Sequence, residues 1–179
     1  MQRKLMCLAL VAVAIGGTVL YFVGRAQATP ANEGFTSSTL SLGRFDEFEV
    51  FNHFVPPSIT SHEDHGRNVW LSLQKTKGSS DVYVQTNTWA PGGSTGWHTH
   101  PGHSLITVTM GSVTAYEGDD PDCKPHTYTV GMGFVDPGGG HVHIVRNEGD
   151  VPAQTIAVQL IPAGQLRRID AADPGNCHF

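Results

Sequence analysis

The chain has 179 residues, with 11 basic and 16 acidic side chains and a formal net charge of −5 when the histidines are neutral. This length suits one domain rather than two. The acidic balance argues against nucleic acid or an anionic membrane surface as a partner.

The first 28 residues have the features of a secretory signal peptide. Arg3 and Lys4 form a basic head, residues 5–23 are almost wholly apolar, and Ala26-Gln27-Ala28 is a small-x-small cleavage pattern. An apolar run of this length could instead span a bilayer as an uncleaved anchor. Both alternatives place the folded part outside the cytoplasm, and cleavage would give a secreted chain. Cleavage would leave eight basic against 16 acidic side chains, a formal charge of −8.

Two cysteines, Cys123 and Cys177, remain after such a cleavage. In an exported chain two cysteines most simply form one disulfide, which would tie a mid-chain loop to the C-terminal tail. Two free thiols are the alternative.

Most of the remaining chain carries the signals of short β-strands. Runs rich in Val, Ile, Thr and Tyr alternate with turn formers such as PGG, EGDDPD and DPGGG. About eight short strands at this spacing predict a β-sandwich or barrel. The predicted strands cover residues 45–54, 68–75, 81–90, 104–110, 112–118, 126–130, 141–147 and 153–162.

The domain organisation follows from these signals. The small and polar segment 29–43 is expected to be a linker or a loosely held arm. The β-domain then covers 44–162, and 163–179 is a C-terminal tail in which 165–172 could form a short helix.

Two His-x-His pairs follow turns that contain proline and glycine. If the first segment is extended, His98 and His100 point to one face, roughly 6–7 Å apart along the strand. His141 and His143 repeat the spacing. Because imidazole is a common ligand for Fe, Cu, Mn, Zn and Ni, the pattern predicts a divalent transition metal without ranking these elements.

Around these histidines the sequence resembles the cupin superfamily over about residues 85–162. The first family motif is matched except at one position, where Ser104 replaces a glutamate. The second motif is matched with one extra residue in its turn. The matching positions are Gly92, His98, His100 and Gly111 in the first motif and Gly131, Pro137, His143 and Asn147 in the second.

The resemblance implies an all-β, cupin-type jelly-roll barrel made of two facing antiparallel sheets. It also implies that His98, His100 and His143 converge at one mouth of the barrel as metal ligands. Ser104 is a poor ligand, so three neutral imidazoles would leave open positions on the ion, which is the pattern of catalytic sites.

Further histidines flank this set. His103 and His141 are additional candidate ligands, as is Ser104, although a turn position is the simpler interpretation of both histidines. Asp136, which precedes Pro137, is interpreted as a turn residue. No residue is assigned a catalytic role of its own.

These features favour a secreted metal-binding cupin that acts as a dioxygenase-type oxidoreductase on a small organic substrate. The analogy is with cupin-type thiol and diketone dioxygenases, some of which use three histidines. One alternative is a non-catalytic cupin that binds a small ligand or metal, and another is a metal-assisted isomerase or lyase. Cupins often dimerise through edge strands, so the resemblance is compatible with a homodimer, although the sequence itself does not show the oligomeric state.

Overall fold

The computed structural model of the chain describes residues 28–54 and 70–179. The predicted signal peptide or anchor lies outside the described residues, except for Ala28. The described residues form twelve β-strands and no helix. The strands are β1 (Phe35–Phe45), β2 (Glu49–Phe54), β3 (Trp70–Lys75), β4 (Ser80–Trp89), β5 (His98–Thr99), β6 (Ser104–Met110), β7 (Ser112–Glu117), β8 (His126–Thr129), β9 (Gly133–Asp136), β10 (His143–Arg146), β11 (Ala153–Pro162) and β12 (Ile169–Asp170).

Ten of these strands build two five-stranded antiparallel sheets. One sheet has the order β1-β4-β11-β6-β9, and the other has the order β12-β5-β10-β7-β8. The expected all-β, double-sheet sandwich of the jelly-roll type is therefore confirmed. Neither sheet is built from strands in sequence order, so residues that are distant in the chain become neighbours.

Strand β11 shows how the sequence produces the two faces of a sheet. Its alternate residues are buried, from Ala153 through Ala157 to Ile161, and the residues between them are more exposed. This alternation is the period of two that a pleated strand imposes on its side chains. Two of the inward positions are polar, Thr155 and Gln159, so the interior of the barrel is not wholly apolar.

The apolar core consists of two clusters. One lies between the sheets and contains Trp89, Val108, Val113, Ala115, Val145 and Ala153. The other is held at the second sheet by the C-terminal tail and contains Trp97, Tyr116, Ile144 and Cys177. Cys177 forms a disulfide with Cys123, with the two Cα atoms 5.3 Å apart. The pairing expected from the cysteine count is therefore present.

Two expectations about segments outside the barrel were wrong. The expected linker 29–43 overlaps β1, which pairs with β4 from Phe35 opposite Trp89 to Phe45 opposite Ser80. Its Ser- and Thr-rich sequence suits an edge strand, whose stability comes from backbone hydrogen bonds and not from buried side chains. The expected short helix over 165–172 is also wrong, because Ile169 and Asp170 pair with β5 as strand β12. The barrel therefore begins before residue 44 and takes in part of the tail.

Strands β2 and β3 form a separate two-stranded sheet. Phe51 pairs with Leu73 on it, and both side chains are exposed. In the described part of the chain no helix is long and apolar enough to span a membrane.

Candidate metal centre

The antiparallel pairing of β5 and β10 brings the two His-x-His segments together. His143 is directly opposite His98 in the register, and His100 follows two residues after His98. The ring centroids lie 4.3 Å apart for His98 and His143, 4.8 Å for His98 and His100, and 5.5 Å for His100 and His143. One nitrogen from each ring can be chosen so that all three lie within 4.8 Å of one another, which is close enough for one metal ion.

Hydrogen bonds to backbone carbonyls orient two of these rings. Nδ1 of His98 lies 2.8 Å from the carbonyl oxygen of Gly96, and Nδ1 of His100 contacts the carbonyl oxygen of Arg167. An Nδ1–H that donates to a carbonyl leaves the lone pair on Nε2, which is the arrangement of a metal-binding imidazole. Nδ1 of His143 is buried without a hydrogen-bond partner among the described residues.

Burial keeps these imidazoles in the neutral form that a metal requires. Desolvation lowers the pKa of His98 well below its usual value, helped by the neighbouring His143. Desolvation also lowers the pKa of His143 to about 4, although Asp136 opposes the shift. The pKa of His100 is lowered by burial as well, against the opposing effect of its contact with Arg167.

The structure also places a carboxylate in this cluster. Asp136 is the last residue of β9 and pairs with Ser104, the first residue of β6. Its Oδ2 lies 3.5 Å from Nε2 of His100, and its Oδ1 lies 3.7 Å from Nδ1 of His143. The turn interpretation of Asp136 holds in part, because Oδ1 accepts a hydrogen bond from the backbone N–H of Gly138 at 2.9 Å. The contacts of Asp136 with His100 and His143 were not predicted from the sequence.

The remaining candidates lie at different distances from the three histidines. His141 joins Asp136 and His143 in a second group whose ligand atoms lie within 4.8 Å of one another. Its Nε2 also lies 3.1 Å from Oε2 of Glu117. Ser104 is buried and donates to Oδ2 of Asp136 at 3.4 Å. His103 belongs to neither group, and its carbonyl oxygen accepts a hydrogen bond from Leu160.

A cavity of about 100 Å³ opens beside the three histidines. Its wall combines apolar side chains with amides and hydroxyls from the inner face of β4 and β11. Gln85 donates to Gln159 at 3.4 Å, and Gln159 donates to the carbonyl oxygen of Arg167 at 3.2 Å. The lining residues include Ser37, Gln85, Asn87, Trp89, Ile106, Phe134, Val145, Thr155, Gln159, Arg167 and Arg168.

Strand β6 contributes to both the cavity and the core. Its register predicts that Ile106 and Val108 both face the cavity if Ser104 faces the site. Ile106 does line the cavity, whereas Val108 packs into the core cluster with Trp89. The wall of the cavity combines apolar and polar side chains, because alternate residues of β4 and β11 are polar.

The double-sheet barrel with a histidine cluster beside its cavity defines a jelly-roll protein with a candidate metal centre. The family comparison is more specific, because residues 86–159 match the family described as Cupin domain. This match confirms, for that segment of the chain, the resemblance that the motifs indicated.

Comparison with solved structures finds similarities at low identity and over about half of this chain. A cupin superfamily protein from Desulfitobacterium hafniense is 16% identical, with 45% of this chain and 67% of that chain covered and a TM-score of 0.38. A conserved protein with a double-stranded β-helix domain from Klebsiella pneumoniae is 22% identical, with coverages of 50% and 74% and a TM-score of 0.43. An oxalate oxidase is 22% identical, with a TM-score of 0.39, and the match spans 46% of each chain. No curated protein matches the sequence.

Proposed function

We propose that this protein is an exported metal-binding cupin that oxidises a small organic molecule with dioxygen. The observation that carries the proposal is the position of His98, His100 and His143 around one point beside a cavity. Two of these rings have Nδ1 engaged by a carbonyl, so Nε2 is available as a donor. Sites with three protein ligands and open positions are typical of catalytic metals.

The residues present fit a transition metal ion. The three imidazoles are buried or half-buried, which favours their neutral form, and imidazole donors are common ligands of Fe, Mn, Cu, Zn or Ni. Such an ion, held by the three histidines, would supply redox or Lewis-acid chemistry at the cavity. The surrounding chain would orient the rings and limit the access of water.

The cavity favours a small anionic molecule with hydrogen-bonding groups. The guanidinium of Arg167 lies above the ring of Tyr83, with Cζ 5.3 Å from the centroid. Within the described residues no carboxylate neutralises Arg167, and its side chain lines the cavity. An unpaired guanidinium suits a carboxylate, which can accept two parallel hydrogen bonds from it. The amides of Gln85 and Gln159 would pair with further polar groups of the substrate.

Export and self-association belong to the same proposal. The Cys123–Cys177 disulfide is compatible with an oxidising compartment, as the apolar N-terminal segment in the sequence also suggests. A homodimer is supported by the edge position of β1, on which Leu40 and Leu42 are exposed.

Elemental analysis of the purified protein, combined with oxygen uptake, tests this function. We expect near-stoichiometric metal in the natural protein and its loss in a His98→Ala/His143→Ala variant. Oxygen consumption with a panel of small carboxylates should then depend on the metal. Metal without oxygen uptake would favour an isomerase or lyase, and a folded protein that contains no metal would favour a ligand-binding module.

A further inference from the structure

The carboxylate of Asp136 is buried in a place where its negative charge needs a partner. Its side chain is only 2% exposed. Within residues 28–54 and 70–179 its contacts with basic side chains are those with His100 and His143, two histidines of the candidate metal centre. Neutral hydrogen bonds come from the Gly138 N–H and the Ser104 hydroxyl. Buried carboxylates are usually paired with a cation or coordinate a metal, so a metal ion held by the histidines would be a suitable partner at this point.

The two oxygens of Asp136 have different surroundings. Oδ1 accepts the hydrogen bond from Gly138 at 2.9 Å, which fixes the carboxylate plane. Oδ2 is 3.5 Å from Nε2 of His100, the nitrogen that the Arg167 contact leaves free. Two donors that are each about 2.1 Å from one ion lie about 3–3.5 Å apart. Oδ2 and Nε2 therefore have the separation of two ligands that share a metal.

We propose that Asp136 supplies the anionic ligand of the metal centre, through Oδ2, in place of the carboxylate that Ser104 cannot provide. This inference rests on the proposed metal-binding function and adds a ligand to it. Cross-strand pairing explains how Asp136 can take the place of a carboxylate at position 104, because Ser104 and Asp136 are directly opposite in the β6–β9 ladder. A side chain from either strand can reach the same point between the sheets.

The additional ligand changes the charge of the site. Three imidazoles leave a divalent ion with its full double charge, whereas one carboxylate reduces the total to a single positive charge. Asp136 is grouped with His143 and His141 and not with His98, so its side chain would have to rotate towards the ion to complete four protein donors, three nitrogens and one oxygen. An Asp136→Asn variant retains the size of the side chain and an acceptor for Gly138, so it removes the charge with little change in packing.

The test compares Zn²⁺ affinity, by calorimetric titration of the metal-free protein, in three variants. Asp136→Asn should lower the affinity by at least about tenfold. Asp150→Asn, which removes the same charge from an exposed position, should leave it unchanged. The double variant Ser104→Glu/Asp136→Asn should restore most of it, because the carboxylate returns from the opposite strand. The visible absorption of bound Co²⁺ should change in Asp136→Asn and recover in the double variant.

The outcomes separate this inference from the function on which it rests. If Asp136→Asn binds Zn²⁺ as tightly as the natural protein while His98→Ala/His143→Ala does not bind it, Asp136 is not a ligand and the three-histidine site survives. If Asp136→Asn weakens binding but leaves the Co²⁺ spectrum unchanged, Asp136 acts only through His143 and the inference is wrong. If the natural protein binds neither ion, both proposals fail. Equal unfolding temperatures of the metal-free variants ensure that a loss of affinity is not a loss of fold.

Discussion

Oδ2 of Asp136 lies 3.5 Å from Nε2 of His100, although one residue lies in one sheet and the other directly follows a strand of the second sheet. Asp136 ends β9 in one sheet, and His100 follows β5 in the other. Their contact shows that the candidate metal centre is assembled between the two sheets. Its integrity therefore depends on how the sheets pack and on the turns that join them.

The three buried histidines should make the stability of the metal-free protein depend on pH. Burial lowers the pKa of His143 to about 4 and that of His98 further below its usual value. As the pH falls from about 6.5 towards about 4, the unfolded chain takes up protons that the folded chain resists, so the free energy of unfolding decreases. His143 alone should contribute on the order of 3 kcal/mol to this loss. Urea unfolding in the presence of chelator, at about pH 7 and about pH 4, measures it.

A His143→Gln variant provides the control for this pH dependence. It removes the titrating group, so its stability should fall less over the same range. His126→Gln provides a matched substitution of an exposed histidine outside the buried cluster. The prediction would be contradicted if the free energy of unfolding changed equally with pH in the natural protein and in His143→Gln.

Gly138 should be required for the turn that positions Asp136. It has a φ of +63°, and a Cβ added there would lie 2.2 Å from the carbonyl oxygen of Gly102. Gly138→Ala should therefore lower the free energy of unfolding by more than about 1 kcal/mol and weaken metal binding with it. Thermal unfolding and Zn²⁺ titration would measure both effects.

The neighbouring Gly139 offers a matched comparison. Its φ is +65°, but a Cβ would meet no atom within 4 Å. Gly139→Ala therefore carries the backbone strain without the collision and should be the milder of the two substitutions. Equal losses in both variants would show that strain alone, and not the approach of Gly102, determines the effect.

The disulfide should contribute substantially to stability. It closes a loop with a sequence separation of 54 residues, for which the loss of chain entropy in the unfolded state corresponds to about 4 kcal/mol. It also holds Cys177 in the cluster with Trp97 and Tyr116. A Cys123→Ser/Cys177→Ser variant should unfold at a lower urea concentration, and reduced natural protein should match it. This role would be contradicted if reduction of the disulfide left the midpoint of urea unfolding unchanged.

Arg167 should determine a preference for anionic ligands. A hydrogen bond to a charged group is worth about 1.5–3 kcal/mol, so Arg167→Gln should weaken the binding of a carboxylate by roughly ten- to a hundredfold. Propionate and the neutral propionamide form a suitable pair for calorimetric titration of the metal-loaded protein. The variant should lose affinity for propionate and retain its affinity for the amide. Equal losses of affinity for propionate and propionamide would indicate a general disturbance of the cavity.

Much of the fold could be predicted because strands leave a local signal. The alternation along 153–162 predicted β11, and the runs at 81–90 and 104–110 predicted β4 and β6. The prediction failed for strands that bury few side chains. Strand β1 is polar and exposed, and β12 has two residues, so pairing with β4 and β5 decides their structure.

The sequence alone determined the cupin motifs, the spacing of His98, His100 and His143, and the two cysteines available for a disulfide. These features depend on residue type and on short spacings, which are local properties of a chain. Tertiary structure alone decided that Asp136 joins the histidines, that Val108 packs in the core and that Arg167 reaches the cavity. Each of these depends on strand register and on the packing of two sheets, and β-sheets form such contacts between residues far apart in the chain.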